Sequence, residues 1–546
     1  MMRITNSMMT ANTKSNINTN KVNADKLNTM TASGQKIVRP SDDPVVAIRA
    51  MRLNTSLTEL EQYHGKNIPD ADAWFTDTET ALSQSDDVLT AIREKLNQAT
   101  SEENVTSNVE DILEELKQLK AQFYALGNTD SAGRTVFTGY RTGEMLTFTD
   151  ADKIKYEITE TFNVHDLETM SYVKGKQDVN KSTGVDLAAD YVETSITQEE
   201  VYRVRLSYDD IDNMKSAPTI KWKTTKIEDD GTGKMAEKEY KGDIATEVKS
   251  ITGLKQSEID KIYTDLKNDT SEKAYFIPET GEMILSKGAY EKLKDQDGYS
   301  VMYEKTNWQK GDLRPEHYFM CRTPKDTENN DKRTYSNTYP DGIEYNYNRI
   351  KDEDTKEPVT KDGIIQGFKE QELTYEIAFN QSMQINTHAS DVYKHDIGRD
   401  IDELINVTRL MVEANSKVDV LKEKLADEKD EANQEKYKTM IAAAEKEQTF
   451  VKEQMHNMFK AAITSFKGYS DDVNKQISAV GALTSRLEMT KNRVKDQQTN
   501  VKKLADDNIN ADLTETAIDY KNAQLALEAA QMAAGKIANQ TLLNYI

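Results

Sequence analysis

The stretch that most limits what this chain can become runs from Gln476 to Ala505. Val480, Leu487, Val494 and Val501 recur every seven residues, and Ile477, Thr484, Lys491, Gln498 and Ala505 take the alternating position of the same heptad. No Pro interrupts the run, and its single Gly, Gly481, lies near the start. A repeat of 3.5 residues places these side chains along one seam of a slightly underwound helix, and such a seam needs a partner helix. At the α-helical rise of 1.5 Å per residue the rod is roughly 45 Å long. Lys491 and Gln498 weaken an isolated pair of such helices but also fix its register.

The rest of the composition agrees with long helices. Hydrophobic residues make up 37% of the chain and charged residues 30%, a balance that suits rods with one narrow buried stripe. At 546 residues the chain has length for several domains. A formal net charge of -23 argues against nucleic-acid partners, whose phosphates call for a basic surface, and against an anionic membrane surface. The single cysteine, Cys321, can make neither an internal disulfide nor a cysteine-rich zinc site. Near absence of Cys also suits export of an unfolded, uncrosslinked chain. Met1 to Asn28 contains no apolar h-region and no apolar run reaches a membrane-spanning length, so neither a cleaved signal peptide nor membrane insertion is expected.

Along the chain, Ile17, Asn20, Ala24, Leu27, Thr31 and Gly34 keep 3-4 spacing, but few of them are large, so this segment reads as a marginal helix or a disordered tail. Ser33 to Pro44, SGQKIVRPSDDP, reads as a stiff elbow: Arg39 is pushed from the α region by Pro40, and Ser41, Asp42 or Asp43 can cap the next helix, with Pro44 in its first turn. That helix carries Val46, Ala50, Leu53, Leu57 and Leu60, and Gly65 and Pro69 predict a break or bend. Periodicity resumes from Ala71 through Leu82 and Leu89 to Ala99, and again from Val105 through Ile112 and Leu116 to Leu126, giving a rod-like bundle.

Gly127 to Thr149 changes character, with strand-like Thr135–Phe137 and Leu146–Phe148 around a turn. Residues 150–385 alternate with period two, as in Lys155–Thr159 and Thr219–Lys223, and predict one or two β-rich domains, with helical windows at Ile244–Leu266 and Leu285–Asp295. Thr374 to Asn386 reads as strands returning to the rod. Helix resumes near Asp391. The highly charged segment 415–448 reads as a solvated helix or helical hairpin, and Gly468 to Asp472 as a break before the heptad rod. In the last helix Leu513, Ala517, Tyr520, Gln524, Leu527, Gln531 and Ala534 are periodic, and a run of alanines allows close approach of backbones. The ending Leu542-Leu543-Asn544-Tyr545-Ile546 is apolar, which on an acidic chain implies burial against a neighbour or within the chain itself.

Chemistry-bearing motifs are sparse. The six histidines are His64, His165, His317, His388, His395 and His456, and none forms His-Glu-x-x-His. His388 and His395 stand seven apart with Asp391 and Asp396 nearby, a weak metal candidate. Phosphate-binding glycine loops and nucleophile elbows are absent, and acidic runs such as Asp209-Asp210 and Glu228-Asp229-Asp230 read as solvated turns. No catalytic, metal or cofactor role is expected, so the chain reads as a structural protein and not an enzyme.

The residues resemble the bacterial flagellins. The resemblance is carried by Met2-Arg3-Ile4-Thr5, by Ala32 to Pro44, by Gly133-Arg134-Thr135-Val136-Phe137-Thr138-Gly139-Tyr140 and by Ala482 to Glu488 before Asn492. It covers roughly residues 2–150 and 385–546. The Met-Arg-Ile opening, the Arg-x-x-Phe-x-Gly-Tyr turn and the Leu-x-Tyr-Ile ending are similar to the hook–filament junction members; filament flagellin itself is the alternative, and a generic coiled-coil adaptor a third. Segment 415–448 and the long middle depart from the family pattern.

The expected fold is mainly α with inserted β-rich domains, its N- and C-terminal helices paired in a rod-like coiled-coil bundle. Residues 1–35 with 506–546 would form a terminal polymerisation domain, 36–149 with 386–505 a rod domain, and 150–385 an exposed insert. The resemblance implies export through the flagellar type III system and an extracellular place in the flagellum. It implies as partners other copies in a ring, hook-associated protein 1, flagellin and a flagellar export chaperone. Expected interface residues are Ile4, Met8, Ile17, Leu27, Arg39, Pro40, Asp42, Asp43, Leu513, Tyr520, Leu527, Leu542, Leu543, Tyr545 and Ile546. Expected rod-packing residues are Leu53, Leu57, Leu60, Leu82, Leu89, Ile112, Leu116, Val480, Leu487, Val494 and Val501.

Overall fold

Long helices at both ends of the chain enclose a β-rich middle, as the change from heptad to alternating pattern requires. The computed structural model describes residues 6–100, 106–177, 179, 185, 187, 191–212, 217–229, 235–324, 342–345, 360–361, 364–365 and 372–539. The opening helices are α1 (Asn6–Ser33), α2 (Pro44–Gln62), α3 (Ile68–Ala99) and α4 (Thr106–Leu126). Strands β1 (Asp130–Ser131), β2 (Arg134–Thr135), β3 (Tyr156–Phe162), β4 (Leu167–Lys174), β5 (Thr197–Arg205), β6 (Ile220–Asp229) and β7 (Met235–Val248) follow. Then come α5 (Gln256–Thr264), β8 (Lys273–Ile277), β9 (Glu282–Leu285), α6 (Lys287–Lys294), β10 (Gly298–Lys305), β11 (Met320–Pro324) and β12 (Gly342–Tyr345). The chain continues through β13 (Thr360–Lys361), β14 (Ile364–Ile365), β15 (Thr374–Ala378), β16 (Gln381–Gln384), α7 (Ala389–Val392), α8 (His395–Asp427), α9 (Glu431–Ile509) and α10 (Leu513–Asn539). Among the described residues no helix is long and apolar enough to cross a membrane.

Two compact units result. One comprises Met1–Asp72, Tyr375–Met383 and Thr484–Ile546, the other Ala73–Thr374 and Gln384–Leu483.

In the larger unit, β3 to β12 form a ten-stranded sheet in the order β12-β11-β3-β10-β6-β7-β8-β9-β5-β4. The pair β7–β8 is parallel, joined by a crossover through α5, and the other described pairs of this sheet are antiparallel. Its core includes Tyr156, Ile158, Ile220, Phe276, Met283, Tyr303 and Trp308. The helical part of the same unit buries Leu82, Leu89, Leu116, Phe123 and Tyr393 completely, and Ile112 nearly so. Tyr393 packs its ring on Phe123 and Phe137 at 5.1 and 5.0 Å, and Ser85 and Tyr393 share a hydroxyl hydrogen bond of 3.0 Å.

A buried ionic lattice joins the sheet to α8. Arg203 donates to Glu168 at 2.8 Å and to Glu282 at 2.5 Å and also pairs with Glu403, while Arg205 donates to Glu168 and Asp400, each at 2.9 Å. Burial opposes the charge on both guanidinium groups, but the surrounding carboxylates outweigh it and hold both firmly charged. The attraction within such a lattice is largely offset by the cost of taking its charges out of water, so the lattice by itself adds little net stability.

Several expectations are corrected. Gly65 and Pro69 do not break the rod: a π-helical turn, Tyr63–Asn67, carries α2 into α3, with the Ile68 amide donating to the Tyr63 carbonyl. Such a turn is a local adjustment that lets a proline ring sit within a continuing helix. The helical window Ile244–Leu266 shrinks to α5, because β7 runs to Val248 as a strand between β6 and β8. In the turn region Asp130–Ser131 pairs with Arg134–Thr135 and Thr147 makes a single antiparallel bridge to Leu313, while Val136, Phe137, Leu146 and Phe148 are buried outside any longer strand.

The predicted break at Gly468–Asp472 does not exist, since α9 is unbroken. Its buried heptad extends backwards through Val473, Phe466 and Phe459, and Gly468 lies on the exposed side, where its helix penalty of about 1 kcal/mol is outweighed by the packing opposite. Segment 415–448 is a helical hairpin, α8 into α9, but it is not solvated all round. Val418, Leu421, Met440, Ile441 and Ala444 pack with Val173, Val179, Tyr191 and Ile196. Within that contact Lys417 Nζ pairs with Glu447 Oε1 at 2.7 Å, and the Tyr191 hydroxyl donates to Glu447 Oε2 at 2.6 Å.

Candidate assembly surface

In the smaller unit, α1 and α10 lie antiparallel, with Gln35 bridged to Asn510 and the Asn20 amide donating to the Ala526 carbonyl at 3.4 Å. On α1, Thr13, Ile17, Asn20, Ala24, Leu27, Thr31 and Gly34 form the covered stripe, spaced 4-3-4-3-4-3. On α10 the covered stripe is Thr516, Tyr520, Ala523, Leu527, Ala530 and Ala534. Ile17, Leu27, Tyr520 and Leu527 therefore face the partner helix within the chain. Leu513, Ala517, Gln524 and Gln531, periodic with Tyr520 and Leu527 in the sequence, lie off that face and are exposed. The alanines keep α10 slim, so the two helices approach without large knobs.

The elbow between α1 and α2 is held by backbone. Gly34 takes a φ of 69°, the left-handed conformation that ends a helix cheaply only with Gly. Beyond it, the Lys36 amide donates to Ile509 O at 2.7 Å and the Ala511 amide to Gly34 O at 2.9 Å, stitching the elbow to the α9–α10 joint. Lys36 Nζ adds a bond to Asp507 O at 2.6 Å. Asp42 accepts from the Arg39 amide at 2.8 Å and the Val38 amide at 3.2 Å, and these bonds hold its carboxyl below the usual carboxylate range. Asp43 is the N-cap, accepting from Val45 and Val46 amides at 3.0 and 3.1 Å. Arg39 and Pro40 project outward, exposed. Leu53, Leu57, Leu60 and Val501 are half-buried, while Leu487 and Val494, like Val480 in the larger unit, are buried.

The outer face of this unit is apolar to an unusual degree. Met8, Met9 and Val22 on α1 are exposed, as are Val38, Val45, Ile48 and Met51 on the elbow and α2. So are Phe379 between β15 and β16, Met489 and Leu504 on α9, and Leu513, Ile518, Leu525 and Met532 on α10. Of the exposed large apolar side chains described, only Tyr140, Met145, Leu254 and Met302 lie in the larger unit. Ile518, Leu525 and Met532 recur every seven residues on the side of α10 opposite α1, so that helix carries two stripes. The sequence reading missed this second stripe, although its seven-residue spacing was visible, and missed Phe379, whose position before Asn380 in a turn was the only signal. Ile4, Leu542, Leu543, Tyr545 and Ile546 lie outside the described residues.

The histidine pair does not assemble a metal site. His395 is enclosed by the rings of Tyr208, Tyr318 and Phe319 at 4.8, 4.5 and 5.1 Å. Burial, then Arg399, pushes its pKa down to about 3, which leaves the imidazole neutral. Among the described residues no group of three His, Cys, Asp or Glu side chains is placed to hold a metal ion.

Comparison with known proteins agrees with this architecture. Residues 4–142 match the bacterial flagellin N-terminal helical region and residues 464–546 the bacterial flagellin C-terminal helical region. The chain is 29% identical over 147 residues to flagellar hook-associated protein 3 of Salmonella typhimurium, covering 26% of this chain and 44% of that protein. It is 27% identical over 206 residues to flagellar hook-associated protein 3 of Escherichia coli, covering 37% of this chain and 59% of that protein. The matches thus span about half the length of those relatives. Among solved structures, hook-associated protein 3 of Legionella pneumophila aligns over 83% of this chain and 97% of its own, at 11% identity and a TM-score of 0.28. FlgL of Xanthomonas campestris aligns over 82% and 99%, at 10% identity and a TM-score of 0.22. The two flagellin helical regions thus lie at the two ends of the chain, over the paired helices, the elbow and the heptad rod, and the residues between them match neither.

Proposed function

We propose that this chain is a structural subunit of the bacterial flagellum that joins the hook to the filament. In this reading copies form a ring between hook-associated protein 1 and the first flagellin subunits. They leave the cell unfolded through the flagellar type III route, and an export chaperone shields α10 before assembly. No catalytic step is assigned. The observation that carries the reading is the crowding of exposed apolar side chains onto the unit built from the two chain ends. Exposed apolar side chains gathered on one unit suit burial against neighbours, and the slim α1–α10 pair leaves Ile518, Leu525 and Met532 of α10 uncovered.

The test is a strain of the native host lacking this gene. Hooks should persist while flagellin is shed into the medium, and the full chain should restore filaments. A chain carrying Ile518→Asp, Leu525→Asp and Met532→Asp should be exported and melt normally, yet fail to restore them. Full-length filaments in the deletion strain refute the junction role, and hooks that bear no filament because this chain is their bulk subunit assign it to the filament instead.

A further inference from the structure

Phe379 is a side chain for which the fold has no use. It takes the first of the two residues that turn β15 into β16, and at 82% it is the most exposed large apolar side chain described. Turns of this length favour small or polar residues that accept positive φ, and Asn380 supplies that conformation with φ of 54°. Nothing in the turn calls for an aromatic ring beside it.

The hairpin that presents this ring is firmly anchored. Ile377 and Met383 are buried beneath it. The Asn67 side-chain amide donates to Glu376 O at 2.7 Å on one strand, and the Arg493 guanidinium donates to Gln381 on the other. Met489 lies one helical turn from Arg493 on α9 and is exposed too, so two apolar side chains flank the anchor. A rigidly presented aromatic side chain loses little freedom on binding, and aromatic residues, Phe among them, are enriched at interfaces.

The same unit carries a surface that matches it. Val45, Ile48 and Met51 recur every three residues along the outer side of α2, and Arg49 and Arg52 beside them are exposed. On the hairpin side Glu376 and Glu488 are exposed and outnumber Arg493, whose guanidinium is engaged with Gln381. An aromatic knob with acidic neighbours and an apolar stripe with basic neighbours, both on one chain, make a heterologous contact between copies. Contacts of that kind close into a ring or continue as a helix.

We propose that Phe379 docks on the Val45–Ile48–Met51 stripe of a second copy of this chain. The proposal rests on the reading that copies assemble through this unit, and its test separates the two. The full chain carrying Phe379→Cys and Ile48→Cys is expressed in the deletion strain, and isolated flagella are treated with a mild oxidant. Cys321 is buried and does not compete. The expected result is a ladder of disulfide-linked copies on non-reducing gels with the double variant, and monomer with either single variant. A double variant that is incorporated and retains filaments but stays monomeric overturns the proposal and leaves the assembly reading intact. Absence of the unsubstituted chain from flagella overturns both. Phe379→Ser supplies a second measurement: melting should be unchanged while filament retention falls at least tenfold, and normal retention overturns the proposal.

Discussion

Replacing Lys417 by Met tests whether the charged hairpin is bolted to the β-rich middle or merely solvated. Lys417 and Glu447 are 10% and 2% exposed at their side chains and 2.7 Å apart. The substitution leaves Glu447 buried with the Tyr191 hydroxyl as its remaining direct partner. Breaking a buried pair by removing one member costs about 3–5 kcal/mol, because the other charge is stranded. Lys176 is buried within electrostatic reach of Glu447, and burial, opposed by Glu447, lowers its pKa. Its charge offsets part of the loss, so the lower figure of about 3 kcal/mol is the expectation. At 1.4 kcal/mol per factor of ten, amides of residues 417–447 should exchange with solvent roughly a hundredfold faster by hydrogen exchange, with little change elsewhere. The triple variant Lys417→Met, Glu447→Leu, Tyr191→Phe removes the pair and its hydroxyl partner and should recover part of the loss, since apolar replacement of a buried pair is close to neutral while Lys176 loses the Glu447 charge. Exchange in Lys417→Met indistinguishable from the parent chain would show the hairpin to be a solvated spur and refute the reasoning.

Three further expectations follow from single sites. Burial raises the Glu160 pKa from 4.5 to about 7 against the hydrogen bonds from Tyr303 and Ser207. The folded larger unit therefore holds a proton that the unfolded chain releases, and the stability this confers is present in full below pH 4.5 and lost as pH rises through 7, a difference of roughly 3 kcal/mol. Glu160→Gln should flatten that dependence in melts between pH 5 and 8, and an unchanged slope would rule the assignment out. Leu487→Ala truncates a fully covered heptad position and should cost roughly 2–5 kcal/mol in the smaller unit, read as earlier proteolysis of the terminal helices. Asp43→Ala removes the cap of α2 and should cost about 1 kcal/mol, measurable as faster exchange of the Val45 and Val46 amides.

How much of this was legible in the sequence depends on how local each cause is. The heptad seam was readable because helical periodicity lies within a few neighbouring residues. The elbow was readable because Pro40, Asp43 and Pro44 act on their own backbone. The unbroken passage through Gly468 was not. A glycine's cost is local and visible, whereas the compensating burial of Phe459, Phe466 and Val473 depends on what packs across from them. The charged hairpin misled for the same reason: Lys and Glu at helical spacing signal solvent until a third element, here Tyr191, converts one pair into a buried one.

The sequence by itself determined that both ends are slim helices, that a proline elbow follows the first, that a heptad rod precedes the last and that strands fill the middle. Only the tertiary structure decided which face of α10 meets α1, because alanines and aliphatics ring that helix and offer two stripes of similar spacing. It alone set the order of ten strands, including the parallel β7–β8 pair, since strand pairing joins segments far apart in the chain. It alone left Phe379 outside, because exposure is a property of what does not cover a residue, and no local pattern encodes that.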